Sequence, residues 1–263
     1  MQNRSAWLLL MALAAPGWMF GQNTPDNPSP SPADETGLGR PASFKKLLPN
    51  LGTDQKKMWT FPRELRKKRV WIPTAAVLAV TAGLIAADPH EAGYFRNTTS
   101  LNSFNRAFSS SNTTYGILAA PAVLFAAGLV RKDSKAKTTA ILAAEAVGDS
   151  EILTTIFKDL DRRVRPAAVP TGGNFADTWF ESPGPFWRGR GSMPSGHTIA
   201  AFSVATVFAR RYGKQHKWVP FLAYGLAGAV GFSRLSLSAH FLSDVFVGGA
   251  LGYGISRFVV LRE

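Results

Sequence analysis

Three short stretches hold the residues best suited to chemistry. In 233–244 (SRLSLSAHFLSD), His240 lies four residues before Asp244. On a helix that spacing lets the carboxylate reach the imidazole, fix its tautomer and leave the other ring nitrogen free to act. Arg234 adds a permanently charged, forked donor suited to a phosphate oxyanion. In 192–197 (SMPSGH), Ser195 and Gly196 open an apolar run. Backbone N–H groups at a helix start can cradle an anion, and His197 projects from the same turn. In 158–166 (KDLDRRVRP), Lys158 and Arg165 are seven residues apart, two helical turns on one face, and Pro166 turns the chain out of the helix.

Taken singly, each stretch has an ordinary reading: a basic helix end, a capped helix start, a His–Asp pair on a surface. Taken together they resemble the type 2 phosphatidic acid phosphatase family, which includes bacterial class A acid phosphatases and is related to vanadium haloperoxidases. The family pattern is Lys, six residues, Arg-Pro; then Pro-Ser-Gly-His; then Ser-Arg, five residues, His, three residues, Asp. The chain matches it at Lys158, Arg165, Pro166, Pro194, Ser195, Gly196, His197, Ser233, Arg234, His240 and Asp244 with every internal spacing kept. Residues 1–69 fall outside the resemblance.

The resemblance implies a metal-independent phosphatase with no cofactor. His240 is then the nucleophile, Asp244 its partner, and His197 the acid and base for the leaving oxygen and the attacking water. Lys158, Arg165, Arg234, Ser195 and Gly196 hold the phosphate. The implied substrate is a lipid phosphate or another phosphate ester, such as phosphatidate, phosphatidylglycerol phosphate or undecaprenyl pyrophosphate. Two further outcomes of the same pattern are a soluble periplasmic acid phosphatase and a vanadium-dependent haloperoxidase.

The elements that must position these residues are helices. Apolar segments run over 70–87, 115–130, 138–157, 194–209, 218–233 and 240–260. The first has 18 residues without a charge, a helix of about 27 Å and just enough for a bilayer core. The expected fold is all-α, a bundle of about six core helices that spans a membrane. The third segment is the odd one, because it carries Glu145, Asp149 and Glu151.

Before the bundle, 1–21 has the charge and apolar stretch of a signal peptide or N-terminal anchor. A disordered or extended linker is expected over 22–60, Pro- and Ser-rich at its start. The phosphatase domain is expected over 61–263.

The net charge of +13 does not mark a nucleic-acid binder, because basic residues cluster at the ends of apolar runs. The groups around 63–69, 131–137, 210–217 and 257–262 all fall on one side if the helices alternate, and that side is read as cytoplasmic. A cleaved signal would put 63–69 outside, and the four-group asymmetry outweighs it. The three chemical stretches then share the opposite side, so the site is expected to face the periplasm or exterior of a bacterial cytoplasmic membrane, in contact with membrane lipids. Cysteine is absent, which excludes disulfides and a thiol nucleophile, and the four histidines are too scattered for a zinc motif.

Overall fold

The computed structural model describes residues 42–262; the expected signal or anchor and the linker residues 22–41 lie outside the described residues. What is described is helical, without strands. The elements are α1 (Phe44–Trp59), α2 (Lys68–Asn97), the short α3 (Asn102–Ala107), α4 (Ser110–Val130), α5 (Ser134–Asp161), α6 (Gly196–Tyr212), α7 (Trp218–Ser236) and α8 (Leu242–Gly254), the last continued by a π turn at Ile255–Val260.

Local sequence sets the ends that matter. The side chain of Ser109 accepts from the Asn112 N–H at 3.3 Å, and Asp133 accepts from Ala136 N–H at 3.0 Å, so both cap the helix that follows. α5 stops at Arg162, which takes the left-handed conformation (φ 44°) that commonly ends a helix. α8 is opened by Asp244, whose carboxylate reaches back to the Phe241 N–H at 2.9 Å.

α6 occupies the middle of the bundle, packed against α5, α7 and α8. Its Ile199, Val207 and Phe208 are buried together with Leu142 and Ala143 of α5. Two glycines bring α8 unusually close to it. A β-carbon at Gly252 would lie 2.3 Å from the Ile199 carbonyl oxygen, and one at Gly248 2.9 Å from the Ser195 carbonyl oxygen. That approach draws the first turn of α8 onto the start of α6, where the Ser195 N–H donates to the Asp244 carbonyl at 3.1 Å. Buried hydroxyls join the same helices: Ser150 meets Ser203 at 2.7 Å, and Ser256 donates to the Ser203 carbonyl at 2.8 Å. Small residues with inter-helix hydrogen bonds are the usual means of holding helices together where the surroundings are apolar.

The expectation of a disordered or extended linker up to residue 60 is corrected by α1. Two carboxylates within α5 would be costly to bury without donors, and α1 supplies them. The Asn50 amide donates to Glu145 at 2.7 Å, and the Gln55 amide to Asp149 at 3.0 Å. Leu51 lies over Gly148, and Trp59 stacks on Phe157. Glu145 and Asp149 are therefore tied into helix packing.

α2 and α4 are the two described helices long and apolar enough to cross a membrane. The apolar window of α2 is only 6% buried inside the protein, so it is no core helix of a globule. Trp71, Ile72, Leu78 and Val80 are exposed along it. Two of the basic stretches meet at one end of the bundle, where Lys135 bonds Gln215 and Arg211 donates to Thr139 at 3.1 Å. The chemical residues lie at the other ends of the same helices.

Candidate active site

The His240–Asp244 pair forms, by a geometry different from the expected helix face. α8 begins only at Leu242, so His240 stands outside it and Asp244 occupies the first turn. His240 Nδ1 lies 3.5 Å from Asp244 Oδ2, at the limit of a direct hydrogen bond. Ser192 closes the gap. Its hydroxyl donates to Asp244 Oδ2 at 2.6 Å and lies 3.3 Å from His240 Nδ1. With its hydrogen on the carboxylate, the Ser192 oxygen can only accept from Nδ1–H. That tautomer leaves the Nε2 lone pair free.

Lys158 ends α5 as expected, with its ammonium beside Gly196: a β-carbon there would be 3.6 Å from Nζ. Arg165 does not share a helix face with it. α5 ends at Asp161, and Arg165 lies in extended backbone beyond, where the neighbouring Val164 N–H donates to the Thr178 carbonyl at 2.7 Å. The two cations nevertheless converge, since the charge of Arg165 acts on Lys158, His197, Arg234 and His240. Neither Lys158 nor Arg165 has a side-chain hydrogen bond or ion pair among the described residues.

Arg234 behaves differently. It is fully buried and already bonded to Ser233, to the Ser110 hydroxyl at 3.0 Å, to Thr113 at 3.2 Å and to the Phe108 carbonyl. It fastens α7 to the start of α4 and has at most one N–H left for a ligand. Ser195 caps α6 without a side-chain bond to the helix backbone; its hydroxyl accepts from the Thr198 hydroxyl at 2.9 Å. His197, one residue into α6, points Nε2 at the Ser110 carbonyl (3.2 Å) and the Thr114 hydroxyl (3.1 Å). A carbonyl only accepts, so Nε2 carries a hydrogen in this contact.

Burial and mutual repulsion dominate the electrostatics of the pocket. Burial, then the charge of Arg165, brings Lys158 down to about 8. Burial lowers His240 to about 4, against its bond to Asp244 and with help from Lys158 and Arg165. His197 falls to about 4 through burial and the charge of Arg234. For Asp244, burial pushes upward, but His240 and the Arg163 charge outweigh it and hold the carboxyl below its usual range. The pocket is thus a concentration of positive charge with neutral imidazoles, unfavourable until an anion enters.

Two residues that the sequence reading left out stand at the centre of the site. Ser192 began the middle stretch but had no role in it. Arg163 was hidden among the basic residues of 158–166. It is 1% exposed and bonds Asp244 Oδ1 at 2.7 Å, Asp88 Oδ2 of α2 at 2.6 Å and the Ser243 hydroxyl at 2.8 Å. Burial of an arginine is the signal that would have found it, and sequence does not carry burial. Among the described residues no group of three or more His, Asp or Glu is arranged to hold a metal ion.

A helical bundle that gathers buried cations, a helix start and two histidines at one end defines a phosphatase-type anion site. Residues 137–262 match the PAP2 superfamily, a family of phosphatases. The chain is 43% identical over 75 residues to the lipid A 1-phosphatase of Porphyromonas gingivalis, a match covering 26% of this chain and 17% of that protein. It thus spans about a sixth of the length of that curated relative. Among solved structures it is similar to the transmembrane PAP2 type phosphatidylglycerolphosphate phosphatase from Bacillus subtilis. That likeness has a TM-score of 0.41 and 21% identity over 82% of this chain and 92% of the other.

Proposed function

We propose that this chain hydrolyses a phosphate monoester or pyrophosphate of a lipid, through a phosphohistidine on His240, at the outer face of a bacterial cytoplasmic membrane. The observation that carries the reading is the buried Lys158 and the half-buried Arg165, neither with a hydrogen-bonding or ion-pair partner among the described residues, beside two histidines. Buried charge without a counter-ion is costly, and a phosphate dianion supplies what the fold omits.

In the first step the Nε2 lone pair of His240 attacks phosphorus and the P–O bond to the leaving alkoxide breaks. His197 gives its proton to that oxygen. In the second, His197 takes a proton from water, the hydroxide attacks phosphorus, and the P–N bond breaks to free His240 and inorganic phosphate. Asp244, through Ser192, balances the positive charge that grows on the His240 ring. Lys158, Arg165 and the Ser195–Gly196 start of α6 hold the nonbridging oxygens, and Arg234 contributes charge from its anchored position. His197 must be protonated in the first step. The bound dianion raises its pKa above the low value of the empty pocket.

The outward-facing apolar surface of α2 supports a lipid setting, since an exposed stripe of that kind needs an apolar surrounding. The curated relative also acts on a lipid phosphate by its name. The phosphatase unit expected from residue 61 takes in α1 as well, because α1 supplies donors to α5.

The test is phosphate release by detergent-purified protein from phosphatidate, a lipid pyrophosphate and a soluble ester, each with EDTA. Release from a lipid substrate that EDTA leaves intact and His240→Ala abolishes is the expected result. Release from the soluble ester alone, by protein freed without detergent, would instead mark a soluble acid phosphatase.

A further inference from the structure

We infer that Arg163 is a positioning residue that sets the ionisation of the His240–Asp244 pair from behind, with Asp88 of α2 as its counterweight; this rests on the phosphohistidine reading above. The two oxygens of Asp244 have separate duties. Oδ2 faces the pocket, receiving Ser192 and the Phe241 N–H near His240. Oδ1 faces away and is held by Arg163 Nη1 at 2.7 Å. Arg163 therefore touches the nucleophile's partner without pointing into the phosphate pocket.

Its other contacts show how firmly it is placed. Nη2 bonds Asp88 at 2.6 Å, Nη1 also reaches Ser243, and Nε lies 3.4 Å from the Thr178 hydroxyl. The guanidinium sits 3.9 Å from the ring centre of Phe241 and 4.5 Å from that of Trp179. Asp88 is locked in turn by the Ser243 N–H at 3.0 Å and the Ser243 hydroxyl at 2.5 Å. One cation thus stands between two buried carboxylates, and the balance of the three charges governs how readily Asp244 stays ionised.

Other charged groups face the same pair. Lys158 and Arg165 act on Asp244 from the pocket side. Asp161, which accepts the Arg163 N–H, and Glu91 of α2, which accepts the Leu242 N–H, act from behind. Removing the Arg163 charge leaves Asp88 and Asp244 facing each other, so Asp244 and His240 both hold protons to higher pH. Removing the Asp88 charge does the reverse. The direction is the same whichever of the coupled pair sets the acid limb. Because Asp88 belongs to the exposed apolar helix, this contact ties α2 to the nucleophile.

The experiment compares wild type, Arg163→Met, Arg163→Lys and Asp88→Asn in detergent, with phosphatidate as substrate and inorganic phosphate as inhibitor. Arg163→Met is expected to lower kcat about 100-fold and move the acid limb of the rate profile to higher pH. KM and phosphate inhibition stay within about threefold, because the phosphate-binding groups are untouched. Arg163→Lys restores part of kcat. Asp88→Asn moves the acid limb to lower pH, and it decides the matter if Arg163→Met does not fold. An unmoved limb in the folded variants, or a loss carried by KM, overturns the inference. A wild type that releases no phosphate sinks the phosphatase reading instead. The His240 titration, followed by ¹⁵N NMR in the same variants, then still tests Arg163, and an unchanged titration refutes it.

Discussion

Replacing Lys158 by methionine should make the empty protein more stable while destroying its function. Lys158 ends α5 almost fully buried, without a hydrogen-bonding or ionic partner among the described residues. Its pKa falls from 10.5 to about 8, first through burial and then through Arg165. A lysine whose folded pKa lies below its unfolded one destabilises the fold while it is protonated. The penalty is fully present below about pH 8 and fades as the pH rises towards 10.5. A fall of that size corresponds to roughly 3 kcal/mol as an upper bound at neutral pH. Solvent entering the pocket reduces it, so an observed gain of about 1 kcal/mol is expected at pH 7, or roughly 2–4 °C for a domain of this size. The assay is thermal unfolding of the two proteins in detergent at pH 7 and near pH 10, with and without inorganic phosphate. Lys158→Met should melt higher at pH 7 and lose the advantage at the alkaline pH. Phosphate should stabilise the wild type far more than the variant, and phosphate release should drop by about 10²–10³-fold. A variant that melts lower at pH 7, yet is stabilised by phosphate as well as wild type, would refute the idea that this cation is strained for the sake of an anion.

Three other outcomes follow from the geometry. Ser192→Ala removes a buried hydrogen bond to an ionised carboxylate, worth roughly 1.5–3 kcal/mol, so kcat should fall about 10- to 100-fold with KM little changed in steady-state assays. Gly252→Val puts a side chain against the Ile199 carbonyl, where even a β-carbon would stand at 2.3 Å; α8 must move off α6, and thermal unfolding should record a loss of about 3 kcal/mol or more. The profile of kcat/KM should rise as His240 loses its proton and decline as His197 loses the one it must donate, both near about 4 in the empty site, so the optimum of kcat/KM falls on the acid side of neutrality.

Much of the fold was legible because apolar runs between charged ends specify helices, and each of the six expected segments is matched by one. The candidate residues stood out in the sequence because the proposed chemistry needs fixed types at fixed spacings. What spacing did not reveal was how they are held. Lys158 and Arg165 meet across a helix end that Arg162 closes, whereas a count of seven suggested one continuous face. His240 and Asp244 meet across a helix start, with Ser192 brought in from a different segment. Arg163 could not be distinguished from its basic neighbours, because its partners Asp88 and Asp244 lie 75 and 81 residues away. α1 was misread because its polar side chains look solvated, and only the carboxylates buried in α5 explain them.

The central claim is tested most directly by rapid quench into alkaline detergent of the enzyme with a ³²P-labelled aryl phosphate, whose leaving oxygen needs no proton from His197. His197→Ala should accumulate label that survives alkali, is lost in acid, and maps to the peptide containing His240, while His240→Ala should take up none. Turnover without any labelled protein, or label on a different residue, would contradict it.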